Sequence, residues 1–152
     1  MHRTLQREPR SGPIAVFVYG DDERGSGVQR RTLTLVRAFA ARGHRVDVVA
    51  VRAGPALRSA LPPDVRLVEL GAWTTRVPGV RAAWRAMVYG SVPALARYLR
   101  RERPRAFLSA ATHINLAGLW AWRLAGAPVR LVLRESNHPP PRPLVSRLVR
   151  SC

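Results

Sequence analysis

"GSGVQRRTLTLVRAFAARGHRVDVVAV", residues 25–51, changes period part-way and so carries two elements. From Val28 to Arg42 the residues sort into helical faces. Val28, Thr32, Leu35, Val36 and Phe39 form one stripe, and Arg30, Thr34, Arg37 and Ala41 lie opposite. Gly43 is the stop signal, because glycine takes the left-handed conformation that closes helices without a Cβ clash. "RVDVVAV" (45–51) is then almost continuously apolar and β-branched, as in a parallel strand covered on both faces. A comparable run, "PIAVFVYG" (13–20), precedes the glycines and reads as a buried strand.

The rest of the chain repeats this alternation. "DVRLVEL" (64–70), entered through Pro62 and Pro63, is a third strand, and residues 72–78 are a loop. A basic helical region runs from about Val80 to Arg103 and is interrupted near Gly90 and Pro93. "RAFLSA" (105–110) is a fourth strand, Asn115–Leu124 a helix closed by Gly126, and "VRLVLRE" (129–135) a fifth strand. A proline-rich loop, "SNHPPPRP" (136–143), and a short helical stretch finish the chain. Alternating strands and helices predict an α/β domain: a Rossmann-like, doubly wound parallel sheet in three α/β/α layers. Residues 1–12 read as a polar tail and 13–150 as one domain, long enough to bury its own core.

The formal net charge is +17, from 26 basic and 9 acidic residues, yet every basic residue is Arg and none is Lys. Scattered Arg with abundant Ala, Val, Leu, Pro and Gly reads as the bias of a GC-rich genome, which argues against a nucleic-acid footprint. Attraction to phosphate or anionic lipid follows from the same charge. Residues 76–105 interleave Arg with Trp84, Met87, Val88, Tyr89 and Tyr98. This fits either a crossover helix packed on the sheet or a basic amphipathic helix on a membrane surface. No stretch reaches the ~18 apolar residues of a membrane span. The start lacks the apolar core of a secretory signal. The single cysteine, Cys152, cannot form an internal disulfide, and no metal-ligand spacing is present. A cytoplasmic protein is expected, with peripheral contact at the inner face of a membrane as its extension.

Ligands of such sheets bind outside the carboxyl ends of the strands. There the chain places "GDDERGSGVQ", "ATHIN" and "ESNHP". Gly25, Ser26 and Gly27 at the mouth of a helix can let a phosphate or sugar hydroxyl approach backbone N–H groups, or can simply form a turn. Arg30 stands where a dinucleotide fingerprint needs its third glycine, and no Walker lysine exists. His113 follows Thr112, a candidate helix cap, and Asn115 lies two residues on. Glu135 can accept hydroxyl hydrogens, orient His113 or pair with a nearby Arg. His138 is a weaker candidate, and His44 reads as part of the helix-to-strand turn. No nucleophile elbow is present.

Residues 25–51, with "FAARGHRVDVV" as their most specific part, resemble the amino-terminal domain of family 4 glycosyltransferases of the GT-B fold. "LPPDVRLVELG" (61–71) and residues 97–138 resemble the family's third strand and its run through strands four and five. The resemblance implies one half of a GT-B enzyme. Such enzymes move a sugar from a nucleotide-sugar donor to an acceptor hydroxyl on a lipid, polysaccharide or small metabolite, and use no further cofactor. It places Gly25, Ser26 and Gly27 at the donor phosphates and Gln29 where some relatives contact acceptor. His113 becomes the catalytic candidate near the transferred sugar. Asn115, Glu135 and Asn137 complete the substrate-binding group, although "ESNH" departs from the family's Glu-His-Asn. A second domain with an E-x7-E motif is expected to bind most of the nucleotide, so residues 1–152 alone are expected to lack activity. The alternative is a non-catalytic basic α/β module for an anionic membrane or polyanion.

Overall fold

The computed structural model describes residues 12–20, 27–71 and 84–135. The element order is β1 (Ile14–Val18), α1 (Gly27–Ala41), β2 (Val46–Ala50), α2 (Pro55–Ala60), β3 (Arg66–Glu69), α3 (Trp84–Gly90), α4 (Val92–Glu102), β4 (Ala106–Ala110), α5 (Thr112–Ala125) and β5 (Arg130–Arg134). The strands form one parallel sheet in the order β3-β2-β1-β4-β5, with β3 and β5 at its edges. All five expected strands are present, trimmed by one or two residues at their ends. This is the doubly wound, Rossmann-like architecture that the alternation predicts. The expected loop at 72–78 and everything expected after Glu135 lie outside the described residues. So does the expected tail, apart from Gly12, which packs against the turn between α4 and β4. A Cβ on Gly12 would come 2.6 Å from the Arg103 carbonyl oxygen.

Alternation along the strands builds two cores. Ile14, Val16, Val18, Val46, Val48 and Ala50 meet Leu33, Val36 and Leu57 from α1 and α2. Ala15, Phe17, Val49 and Phe107 face the other way, against Met87, Val88, Leu95, Leu99, Ala117 and Ala121 from α3, α4 and α5. Successive strand residues point to opposite faces, so both faces of the central strands can be apolar.

Two details differ from the sequence reading, in α1 and α2, and the expected interruption of the basic helical region is present. The buried residues of α1 are Thr32, Leu33 and Val36, whereas Leu35 and Phe39 are half-buried, so the helix is rotated slightly toward Leu33. Thr32 is tolerated there because its hydroxyl donates to the Val28 carbonyl at 2.8 Å. Helix α2 has no counterpart in the sequence reading. Its six residues are too few to show a period, although Pro55, with its preset φ and no N–H to lose, sits in the first turn. The basic helical region splits at Ser91, between Gly90 and Pro93.

One polar side chain interrupts the apolar run of β2. Asp47 is 1% exposed and is answered on two sides. The Tyr98 hydroxyl donates to Asp47 Oδ2 at 2.7 Å, and Arg66, its register partner on β3, donates at 2.9 Å. Arg66 also pairs with Glu102 at 3.1 Å. The network ties α4 to β2 and β3. It sits near the amino ends of those strands, away from the edge where ligands bind. A buried carboxylate stripped of such partners would cost several kcal/mol. Burial, reinforced by the bond to Asp47, pushes the Tyr98 phenol well above its ordinary range. Burial opposes the Arg66 charge, but Asp47 and Glu102 outweigh it and raise its pKa.

A phenol held protonated in the fold stabilises it fully below the unfolded-state pKa of ~10. Above that pH the unfolded state loses its proton first, so stability falls. The expected slope reaches about 1.4 kcal/mol per pH unit. Thermal melts from about pH 9 to about pH 11 should show this alkaline loss in the parent and a flatter profile in Tyr98→Phe.

Candidate functional site at the carboxyl ends of β1 and β4

β1 and β4 are neighbours at the centre of the sheet, but their crossovers leave in opposite directions. β1 leads through α1 to β2, and β4 leads through α5 to β5 on the other face. The crevice outside their carboxyl ends is therefore the topological switch point. The two strands run out level: Phe17 pairs with Ser109, and each strand ends one residue later. Both following helices start at this edge, α1 at Gly27 and α5 at Thr112. Their first turns carry unsatisfied N–H groups and partial positive charge, with no acidic residue in either turn to offset it.

Each side of the crevice is shaped by a backbone constraint. Gly20, just past β1, has φ +94°, and a Cβ there would overlap the Arg52 carbonyl oxygen. Only glycine lets the chain leave β1 so close to the start of α2. Across the crevice, Ala111 links β4 to α5 with φ 84° and ψ 142°, in a region that glycine favours. Four contacts enforce it. Ser109 Oγ donates to Asn115 Oδ1 at 2.8 Å, and Asn115 Nδ2 donates to the Arg134 carbonyl at 2.9 Å. Thr112 Oγ1 donates to Glu135 Oε1 at 2.9 Å. Gly118 lets α5 lie so low on β4 that a Cβ would come 3.2 Å from Ser109 Oγ. The first turn of α5 is thus fastened to both β4 and β5. From it rises His113, half-buried, with Nδ1 2.9 Å from the Tyr89 hydroxyl.

Residues 26–152 match the model of the glycosyl transferase 4-like domain. The chain belongs to that family. Among solved structures, the glycotransferase of kitacinnamycin superposes with TM-score 0.55 and 24% identity over 84% of this chain, a likeness of fold. This chain covers 31% of that one. The Bordetella bronchiseptica enzyme WbmG in complex with NAD gives TM-score 0.45 at 15% identity, covering 82% of this chain and 53% of its own. A UDP-galactose 4-epimerase gives 0.44 at 15%, covering 80% and 54%. No curated protein matches the sequence.

In this glycosyl transferase 4-like domain the sequence-derived site residues divide. Gly27 is exposed at the head of α1, and among the described residues no atom lies within 4 Å of a Cβ built there. Gln29 is half-buried in the same turn. His113, Asn115 and Glu135 cluster where β4 and β5 end. Asn115 is fully buried, with its side chain engaged by Ser109 and Arg134, so it holds the site's frame from beneath. Gly25, Ser26, Asn137 and His138 lie outside the described residues. One assignment changes. Thr112 does not cap α5: Ala111 takes the cap position, and the Thr112 hydroxyl goes to Glu135 instead. Glu135, for which the sequence left open a hydroxyl, His113 or a nearby arginine, accepts from the Thr112 hydroxyl. His44 sits in the turn after α1, its N–H on the Phe39 carbonyl at 3.1 Å and its ring near that of Phe39. Tyr89 and Ser109 were not among the sequence candidates. Among the described residues no three His, Cys, Asp or Glu side chains gather closely enough to hold a metal ion.

The conformation at Ala111 costs roughly 1–3 kcal/mol for a residue with a Cβ. Ala111→Gly should recover most of that, less the extra entropy of an unfolded glycine, for a net gain of about 1 kcal/mol. Denaturant unfolding of the two chains measures it, and a loss of stability would show that Ala111 is unstrained.

Proposed function

We propose that this domain is the acceptor-side half of an enzyme that transfers a sugar from a nucleotide-sugar donor to an acceptor hydroxyl. The observation that carries the reading is the convergence of two helix amino termini, α1 at Gly27 and α5 at Thr112, on the crevice between β1 and β4. In the transfer, the bond from the anomeric carbon to the diphosphate breaks, and a bond to the acceptor oxygen forms. The nucleoside diphosphate leaves, and the acceptor's proton passes to the departing phosphate or to water. Negative charge grows on the departing phosphate. Fixed N–H dipoles stabilise such charge without reorganising. Gly25, Ser26 and Gly27 are assigned to that phosphate, Gln29 and Asn137 to substrate hydroxyls, and His113 to the sugar or the acceptor oxygen. Glu135 contributes through the first turn of α5. A donor-binding lobe facing this edge would supply the rest of the nucleotide site, which is why residues 1–152 are expected to be inactive by themselves.

The test uses the full-length gene product with a panel of nucleotide sugars, read by release of nucleoside diphosphate. Gly27→Trp is the informative variant, since among the described residues nothing crowds a side chain at Gly27 that would block the crevice. A loss on the order of 100-fold in kcat/KM, with an unchanged melt, is expected. Normal turnover would sink the phosphate assignment, and no release from any donor would sink the transferase reading.

A second reading concerns a different surface and can hold alongside the first. Trp120 and Leu124 are 48% and 56% exposed, one turn apart on α5. Arg100 of α4 reaches across to the Leu124 carbonyl at 3.1 Å, and Arg97, Arg101 and Arg123 are exposed on the same two helices. Amphipathic aromatics bordered by arginines suit the interface of an anionic bilayer. No described helix is long and apolar enough to cross a membrane. Co-sedimentation with phosphatidylserine-containing vesicles should exceed that with phosphatidylcholine alone and weaken in Trp120→Ser/Leu124→Ser. Equal recovery from both vesicle types would remove this reading.

A further inference from the structure

Tyr89 lies 24 residues before His113 in sequence, yet its hydroxyl meets His113 Nδ1 at 2.9 Å. Both partners are held. The Tyr89 ring packs against Trp120 with centroids 5.6 Å apart, at an interplanar angle of 37°. Its neighbours Met87 and Val88 are fully buried, and Ser91 seals the end of α3 by donating to the Val88 carbonyl at 2.7 Å. His113 is fixed by the fastened first turn of α5. The two rings meet edge to face, with centroids 6.3 Å apart at 79°.

The chemistry of the pair chooses the direction of the bond. A phenol is a good donor and a weak acceptor, whereas a neutral imidazole offers one strongly accepting nitrogen. The favoured arrangement is O–H···Nδ1, with the ring proton on Nε2. We infer that Tyr89 is a positioning residue that fixes His113 in the Nε2–H tautomer, so that His113 meets substrate oxygens as a hydrogen-bond donor and does not take the acceptor's proton through Nε2. This rests on the transferase reading for its meaning, but its test does not need a substrate. A histidine acting as a base through Nε2 requires the opposite tautomer, and the Tyr89 bond disfavours it.

The experiment is long-range proton–nitrogen NMR of the full chain labelled on histidine nitrogen, recorded above the ordinary imidazole pKa of ~6.5. His113→Gln identifies the His113 resonances. The parent should show the proton on Nε2 and a hydrogen-bonded Nδ1. Tyr89→Phe keeps the ring on Trp120 and removes only the hydroxyl, so the Nδ1 resonance should move and the second tautomer should appear. A parent with the proton on Nδ1 overturns the inference, and so does a folded Tyr89→Phe whose nitrogen shifts match the parent. Should Tyr89→Phe fail to fold, the parent spectrum alone decides the tautomer. A wrong tautomer leaves the transferase reading intact. The right tautomer in a full-length protein that releases no nucleoside diphosphate leaves this inference intact and removes the other.

Discussion

Parallel pairing of β1 with β4 is the constraint on which the rest of the molecule depends. Parallel strands put all their carboxyl ends on one edge, and the helices that follow must begin there. Because the crossovers from these two strands part to opposite faces, nothing in the sheet itself fills the gap between them. A pair of helix amino termini is left facing that gap. The Gly27 turn and the His113 turn are far apart in sequence, and this topology alone brings them to one edge.

The two ends of the sheet are built to different standards. Near the amino ends, Asp47, Tyr98, Arg66 and Glu102 satisfy one another, and the buried charge is matched on each side. At the carboxyl ends the chain tolerates a strained Ala111, a glycine wedged against a carbonyl at Gly20 and a helix start with nothing described above Gly27. Strain of this kind persists only where surrounding contacts over-determine it. The Ser109–Asn115–Arg134 and Thr112–Glu135 bonds do that work here. Asn115 shows how a residue can matter to a site without facing it.

How much of this was legible in the sequence depends on which force set each feature. The strands are legible because short, mostly apolar runs such as 46–50 and 106–110, bounded by turn residues, have few other uses. The boundaries of α1 and the left-handed close at Gly126 follow from glycine chemistry. Helix α2 escapes because six residues carry no period. Leu33 is hidden by a small rotation of the stripe that only packing against β1 and β2 decides. The Thr112 cap fails for a tertiary reason: Glu135, brought alongside by β5, takes the hydroxyl that the helix end would otherwise use. Tyr89 is the clearest limit. In the sequence it is one aromatic among many in a basic segment, and only the fold shows that it belongs to His113.

The position of β5 has a consequence of another kind. Its outer side carries backbone donors and acceptors with no neighbouring strand among the described residues, and Val132 is 40% exposed on it. Such a rim is a template on which a second chain can add a strand. Arg130 and Arg134 bracket the strand five residues long. If two copies met antiparallel along this rim, each arginine would come opposite an arginine, and like charges facing across a ladder repel. The arginine-rich composition therefore discourages self-association through this edge.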